Sequence, residues 1–298
     1  MEAGLMEERV YPRIKNAIIL CLLLLAAQLV LGIPLVVIQL LLDPPEMITG
    51  IINIFISIVS AGLILLLGFK KAKRKFNDVF KFNRVSPFLW AATAVFSIGM
   101  IVVSSELDNL LNFFLPIPEI FRKAFENLAG QKVFAISIIY MGILPAITEE
   151  MFFRGLILDG FARNYSKRKA VFISALLFGL IHLNPWQFLT AFMIGLAAAW
   201  ICIETNSILP CMLIHFINNT LYTVMVRLED FVPIRGFNAI TSGVHEFQPL
   251  WFTLPGLAVF AAGIMMLMKG MKKPAPESAP AASPMAIESE AENTSENI

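Results

Sequence analysis

Long runs without charge alternate along the chain with short segments rich in lysine and arginine. Each run is near the roughly 20 residues that a helix needs to cross the hydrocarbon of a bilayer. Six runs are unbroken, namely Asn16–Leu42, Met47–Phe69, Val85–Ser105, Pro185–Ile203, Ser207–Val226 and Pro249–Met268. Val133–Leu158 adds a seventh run if its charged cluster is tolerated, and Ala170–Leu183 adds an eighth if it extends to Trp186. The pattern predicts an all-α, polytopic membrane protein with about eight transmembrane helices.

The composition agrees with this assignment and excludes an ordinary soluble domain. Apolar residues make up 57% of the 298 positions, and charged residues make up only 15%. The formal net charge of +1 gives no argument for nucleic-acid binding, because the positive charge is concentrated between the spans. The three cysteines lie in or beside predicted helices, so buried thiols are expected rather than a disulfide framework.

The basic residues predict the orientation of the spans, because Lys and Arg next to a span are retained on the cytoplasmic side. Threading eight spans from a cytoplasmic N-terminus places 17 of the 23 basic residues inside. These residues are Arg9, Arg13, Lys15, Lys70, Lys71, Lys73, Arg74, Lys75, Lys81, Arg84, Arg163, Lys167, Arg168, Lys169, Lys269, Lys272 and Lys273. We therefore expect an integral protein of the cell membrane whose N-terminus and C-terminus are both cytoplasmic.

The chain divides into four predicted regions. Residues 1–132 hold the first three spans and a mixed segment, Glu106–Gln131, whose helical spacing predicts a helix lying along the outer interface. Residues 133–226 hold nearly all the polar groups found inside spans and form the predicted functional core. Residues 227–271 are an outer loop and the last span. Residues 272–298 are rich in Pro, Ala, Ser and Glu and are expected to be disordered.

Two adjacent carboxylates, Glu149 and Glu150, lie inside one of the apolar runs. An ionised group at membrane depth costs about 3 kcal/mol or more, so this pair is a functional-site hypothesis. On a helix Glu150 and Arg154 share one face, whereas Glu149 points about 100° away and is left free to face a cavity. Pro145 cannot donate to the carbonyl of Met141, so the helix can open just before the pair. The alternative is an ion cluster that only holds helices together.

Two further polar motifs lie on later spans. One is Phe178-Gly-Leu-Ile-His182, and the other is His215-Phe-Ile-Asn-Asn219, in which His215 and Asn219 share a helix face. Either motif alone could serve packing, as a hydrogen-bonded histidine or an asparagine that bridges helices. Counted from the cytoplasmic ends of their helices, Glu149, His182 and His215 fall in one layer. The sequence therefore predicts a polar intramembrane cavity that opens toward the cytoplasmic side.

The three motifs, in this order on separate membrane helices, resemble those of the CPBP family, also called Abi. This family contains the type II CAAX prenyl endopeptidases and related bacterial membrane proteases. The resemblance covers Val133–Val226 and departs from the family pattern at no motif position. It implies an intramembrane protease, a peptide hydrolase, in which Glu150 and Arg154 support the catalytic groups.

The resemblance also implies roles for the other motif residues. Glu149 is the general base that acts on a water, and His182 helps to hold or activate that water. His215 and Asn219 donate hydrogen bonds to the tetrahedral oxyanion. The implied partners are a protein or peptide substrate at the membrane and the lipid bilayer. The bond cleaved could lie near the C-terminus of a prenylated or membrane-associated chain.

A metal cofactor is the open alternative to this mechanism. Glu149, His182 and His215 form a ligand set of the kind found in catalytic zinc sites, and members of the family have been described as metalloproteases. However, the sequence contains no His-Glu-x-x-His, and His215 cannot both bind zinc and donate to an oxyanion. We therefore favour a mechanism without a cofactor, with zinc as the alternative.

Other functional classes remain open. A proton-coupled transporter also places Glu, His and Arg near the middle of the membrane, but the inverted repeats typical of transporters are not found in the sequence. A non-catalytic scaffold or a bacteriocin-resistance protein could use the polar cluster for helix association alone. His245, in the outer loop, is interpreted as an ordinary surface residue.

Overall fold

The computed structural model describes residues 10–42, 44–123, 133–238 and 246–271. Within these ranges the chain is helical, and eight helices of 14 residues or more follow one another. They are α1 (Ile14–Leu42), α2 (Glu46–Ala72), α3 (Pro87–Phe114), α4 (Phe134–Asn164), α5 (Lys167–Leu180), α6 (Pro185–Thr205), α7 (Leu209–Arg227) and α8 (Leu250–Gly270). The predicted all-α polytopic fold is confirmed. His245 and the predicted disordered tail, 272–298, lie outside the described residues.

Seven of the eight helices in these ranges are long and apolar enough to cross a membrane. The exception is α5, whose 14 residues reach about 21 Å. The predicted extension of this span to Trp186 is wrong. Leu183 has a left-handed φ of +51°, and Asn184 precedes a proline, which disfavours the helical conformation. The Asn184 side chain instead caps α6 by accepting a hydrogen bond from the backbone N–H of Trp186 at 3.1 Å.

Helix α3 continues through charged positions that the sequence assigned to an interfacial segment from Glu106 onward. It can do so because its carboxylates have hydrogen-bond partners. Both carboxylate oxygens of Asp108 lie 2.8 Å from the hydroxyl of Thr190 on α6. Glu106 accepts a hydrogen bond from the backbone N–H of Gln248 at 3.0 Å. The interfacial prediction is therefore wrong as far as the end of α3, and its part from residue 124 onward lies outside the described ranges.

Close helix contacts hold the bundle together. Helices α3 and α8 pack along much of their length, and α5 and α6 form an antiparallel hairpin. A Cβ atom at Gly263 of α8 would overlap the backbone of Phe96 on α3. In lipid, where apolar burial gives little driving force between helices, such close approach supplies van der Waals contact.

The basic loops gather at one end of the bundle, which we call the basic end. Asp159, near the end of α4, forms ion pairs with Arg74, Lys81 and Arg163. The side chain of Asn164 donates to the carbonyl of Val10 at 2.6 Å, which ties the start of the described chain to the same end. The C-terminal end of α4 and the N-terminal end of α5 therefore lie at the basic end.

The opposite end of the bundle is held by other contacts. The indole N–H of Trp186, at the start of α6, donates to the carbonyl of Leu115 at 2.7 Å, just beyond α3. Asn109 donates to the carbonyl of Gly236 at 2.6 Å. Helix α5 therefore runs from the basic end toward the opposite end despite its short length, and α4 runs the other way.

Candidate active site

Helix α4 is irregular on both sides of the acid pair. Two π-helical stretches, Ile138–Ile143 and Met151–Ile157, flank it, and such stretches are frequent at functional sites. Because Pro145 has no N–H, the carbonyl of Met141 lacks its usual partner in the helix. The side-chain amide of Asn219 donates to that carbonyl at 2.7 Å. Helix α7 thus satisfies the backbone group that the proline leaves free.

Glu150 and Arg154 form a fully buried ion pair. Their side chains are 0% exposed, and Arg154 Nη1 lies 3.0 Å from Glu150 Oε1. Arg154 Nη2 donates to the carbonyl of Gly195 on α6 at 3.4 Å. The guanidinium also lies over the ring of Phe178, 4.3 Å from its centroid. Helix spacing predicts the ion pair correctly, and the pair connects α4 to both α5 and α6.

His215 lies between the two glutamates. Its Nδ1 is 2.9 Å from Glu150 Oε1, and its Nε2 is 4.0 Å from Glu149 Oε2. Because an ionised carboxylate can only accept, Nδ1–H donates to Glu150 and Nε2 is left to face Glu149. The 4.0 Å separation is too long for a hydrogen bond, but a water oxygen about 2.8 Å from each atom would complete a triangle over it. The arrangement can hold a water between carboxylate and imidazole.

Glu149 differs from Glu150 in its surroundings. Its side chain is 31% exposed, whereas that of Glu150 is fully buried. The Oε2 atoms of both glutamates are buried and have no hydrogen-bond partner among the residues that the structure describes, so the difference lies in the exposure of the side chain and in the contacts of Glu150 Oε1. One glutamate of the pair is therefore fixed by a cation and an imidazole, and the other has a partly exposed side chain that a ligand can contact.

His182 caps the end of α5. Its Nδ1 lies 2.8 Å from the carbonyl oxygen of Phe178, one of the carbonyls that a helix end leaves without a partner. The Phe178 ring packs edge-on against both His182 and His215, with centroid distances of 5.3 Å and 5.7 Å. The structure thus brings both histidines to one phenyl ring. Within the described ranges, no hydrogen bond or ion pair joins His182 to either glutamate.

Asn219 and His215 lie one turn apart on α7, as their spacing predicts. The amide of Asn219 uses one hydrogen on the Met141 carbonyl and keeps a second for a ligand. His215 can donate from Nε2 only when its ring carries both protons, because Nδ1–H is bound to Glu150. The geometry therefore leaves Asn219 free for an oxyanion role and requires an imidazolium for the same role at His215.

The donor groups do not fit the alternative zinc site. Among the described residues, no three His, Cys, Asp or Glu side chains come close enough together to hold a metal ion. The set of Glu149, His182 and His215 is therefore not gathered around one point in the described part of the chain. A catalytic zinc site takes three protein ligands around one point, and this arrangement does not supply them.

Three groups that contact site residues have no role in the sequence prediction. The ring of Phe178, a motif residue with no predicted role, contacts Arg154 and both histidines. The carbonyls of Gly195 and Met141 accept hydrogen bonds from site residues. Backbone carbonyls carry no sequence signal of their own, although Pro145 identifies the one at Met141.

Burial along α4 changes abruptly at the acid pair. Every residue from Phe152 to Phe161 is buried, whereas most residues of 133–149 are partly or fully exposed. The buried half lies between the acid pair and the basic end. The predicted opening of the cavity toward the basic loops is therefore not supported, because residues 152–161 are buried on all sides of the helix.

Comparison with known proteins identifies the region that holds this site. Residues 131–221 match the family model described as Rce1-like, type II CAAX prenyl endopeptidase Rce1-like. The matched segment contains all three motifs, so the resemblance inferred from them is confirmed for these residues. Comparison with curated proteins and with solved structures found no match to the chain.

Proposed function

We propose that the protein is an intramembrane endopeptidase in which Glu149 activates a water for attack on a peptide bond. The observation that supports this most is the geometry of the acid pair. Glu149 Oε2 has no hydrogen-bond partner in the described part of the chain and faces His215 Nε2 across 4.0 Å. The matched domain belongs to a protease family, which supports the same reaction class.

The proposed reaction needs only groups that lie at this site. The Glu149 carboxylate takes a proton from water, and the water oxygen bonds to the peptide carbonyl carbon. The carbonyl electron pair moves to its oxygen, and this oxyanion accepts hydrogen bonds from Asn219 and from a doubly protonated His215. Glu149 then returns the proton to the peptide nitrogen. The C–N bond breaks, and a carboxylic acid and an amine leave.

The surrounding groups would hold the reacting ones in place. Glu150 accepts the Nδ1–H of His215 and so directs Nε2 toward Glu149, as a carboxylate orients an imidazole in catalytic triads. Arg154 neutralises Glu150. For His182 we propose a hold on the water through Nε2, since Nδ1 is bound to the Phe178 carbonyl.

The test compares membrane peptidomes of cells that carry the wild type, Glu149→Gln or Glu204→Gln. Glu204 is a matched control, because its side chain is 32% exposed and it pairs with Lys167 at the basic end. We expect cleavage products to disappear only in Glu149→Gln. A scaffold would tolerate this change, since the Oε2 atom of Glu149 makes no hydrogen bond among the described residues. Unchanged products in Glu149→Gln would refute the proposal.

We propose that this reaction proceeds without a cofactor. The reason is that no three candidate ligands among the described residues come close enough together to hold a metal ion. Purified protein should keep its peptidase activity after treatment with a chelator of divalent metal ions. Loss of activity that returns on addition of zinc alone would contradict this.

We also propose the setting of the reaction. The protein lies in the cell membrane, and its basic end and both termini face the cytoplasm. The reason is that the basic loops lie at this end. The substrate is a membrane-associated protein or peptide, prenylated or not, and no nucleic acid takes part. Labelling single cysteines in sealed vesicles, as described below, tests the orientation.

A further inference from the structure

We infer that Glu149 is reached from the end of the bundle opposite to the basic loops. If the proposed function holds, the bond that is cleaved belongs to a chain presented on that side of the membrane. The direction of access itself rests on packing and not on the proposed chemistry. Three features of the bundle carry it.

The first feature is a difference in burial between pairs of site residues, which repeats on three helices. Arg154, Phe178 and His215 are each 4% exposed or less. One helical turn or so toward the opposite end lie Glu149 and the two residues His182 and Asn219, and all three are partly exposed. Because the difference has the same direction on α4, α5 and α7, the partly exposed groups share one side of a closed layer.

The second feature is the closed layer itself. Glu150 contacts both Arg154 and His215, at 3.0 Å and 2.9 Å. The Phe178 ring contacts Arg154 and His215 from the other side, so the four side chains form a ring. Arg154 extends this layer to α6 through the carbonyl of Gly195. Helices α4, α5, α6 and α7 thus meet at a layer of buried side chains.

The third feature is the packing between this layer and the basic end. Helix α4 covers about 21 Å from Glu150 to Asn164. From Phe152 to Phe161 its apolar side chains are 3% exposed or less, and so are several side chains of the same core cluster on neighbouring elements. They are Phe80, Phe152, Phe153, Leu156, Ile157, Leu158, Phe161, Phe178, Ile208 and Cys211. Such interiors are close-packed and leave no room for a peptide.

The basic end is closed by hydrogen bonds between loops and helix ends. Ser207 donates to the carbonyl of Asn83 at 2.7 Å, and the backbone N–H of Ile208 donates to the carbonyl of Lys81 at 2.9 Å. Gly160 lies against Pro12, where an added Cβ would lie 2.5 Å from the Pro12 carbonyl oxygen. A substrate coming from this end would have to separate all of these contacts.

The consequence is a class of substrate. With the basic end in the cytoplasm, the site faces secreted chains, or segments of membrane proteins that lie outside the cell. A cytoplasmic chain end could not reach Glu149 through the packed half of α4. The opposite end is also where Glu149 can exchange water, which hydrolysis requires.

The experiment labels single cysteines in sealed membrane vesicles with a sulfonated maleimide that cannot cross the membrane. Glu149→Cys reports access to the site. Leu156→Cys, on the same helix and 1% exposed, is the matched control. Leu183→Cys marks the opposite end, where the leucine is 75% exposed, and Lys167→Cys marks the basic end. The parent chain is the blank, because its three cysteines are buried.

We expect Glu149→Cys to react in the vesicle orientation in which Leu183→Cys reacts, and Leu156→Cys to react in neither. Reaction of Glu149→Cys together with Lys167→Cys, in both orientations or in none would overturn the inference. The readout does not depend on peptidase activity. Cleavage that survives Glu149→Gln would therefore refute the proposed function, but it would not refute the direction of access, which the labelling tests separately.

Discussion

At the scale of single residues, two chemically identical glutamates have opposite surroundings. Glu150 is fully buried and bound by Arg154 and His215, whereas the Glu149 side chain is 31% exposed and lies 4.0 Å from His215 Nε2. Loss of one partner from a buried ion pair leaves the other charge uncompensated, whereas loss of an unbonded group removes little. The two positions should therefore separate stability from chemistry.

Glu150→Ala should lower the free energy of unfolding by about 3–5 kcal/mol, because it leaves Arg154 buried without its counter-ion. Glu149→Ala should unfold close to the wild type and yet lack activity. Thermal unfolding in detergent, followed by circular dichroism, measures the difference. Equal losses of stability in both variants would mean that the two carboxylates share one structural role.

Asn219→Ala removes two hydrogen bonds with different consequences. Loss of the proposed oxyanion donor should lower turnover about a hundredfold or more. Loss of the bond to the Met141 carbonyl should lower the free energy of unfolding by about 1 kcal/mol. Rate measurements on purified protein at a temperature well below unfolding separate the two effects.

The matched control for this variant is Asn218→Ala. Asn218 is the neighbouring asparagine, and its amide donates within α7, to the carbonyl of Ile214 at 2.8 Å. We expect this variant to keep its turnover. Similar rate losses at both positions would argue against a specific donor at Asn219.

The candidate site could be predicted from the sequence only in part, and the reason lies in the kind of contact. Helix spacing predicts the pair Glu150 and Arg154, because both partners lie on one helix. The contact of His215 with Glu150 joins two helices, so residue spacing within one helix cannot predict it. The hydrogen bond of His182 to its own helix end lies within one helix, and the sequence predicts it only as an alternative in which His182 serves packing.

At the scale of elements, the sequence predicts the helices better than their ends. Helix α3 passes Ser105 because Asp108 and Glu106 find partners on α6 and on the segment before α8. Such partners are distant in sequence, so a prediction that ends the span at its first charged residue places the end too early. Helix α5 ends early for a local reason, the turn at Leu183 before Pro185, and this break was readable from the proline.

The contact of α3 with α8 gives a prediction at the same scale. Gly263→Leu should destabilise the protein by about 1–3 kcal/mol, since the side chain would overlap Phe96. Gly62→Leu on α2 is the control, because nothing lies within 4 Å of a Cβ atom there. Detergent-solubilised protein should show a lower melting temperature only for Gly263→Leu. Equal melting temperatures would mean that this crossing is not closely packed.

At the scale of the whole molecule, hydropathy and basic residues predict an integral membrane protein and a bundle with one basic end. The direction in which the site opens could not be predicted from them. It depends on which half of α4 packs against α5, α6 and α7. Counting residues from the ends of single helices gives the depth of a side chain but no information on packing. The structure places the packed half toward the basic end.

The central claim is that Glu149 activates the water that enters the product. It is tested most directly by single-turnover cleavage of a substrate peptide by purified protein in water enriched in oxygen-18. We predict one heavy oxygen in the new carboxyl group, and a rate at least about a hundredfold lower for Glu149→Gln with an unchanged melting temperature. A wild-type rate for Glu149→Gln, or a product without heavy oxygen, would contradict the account.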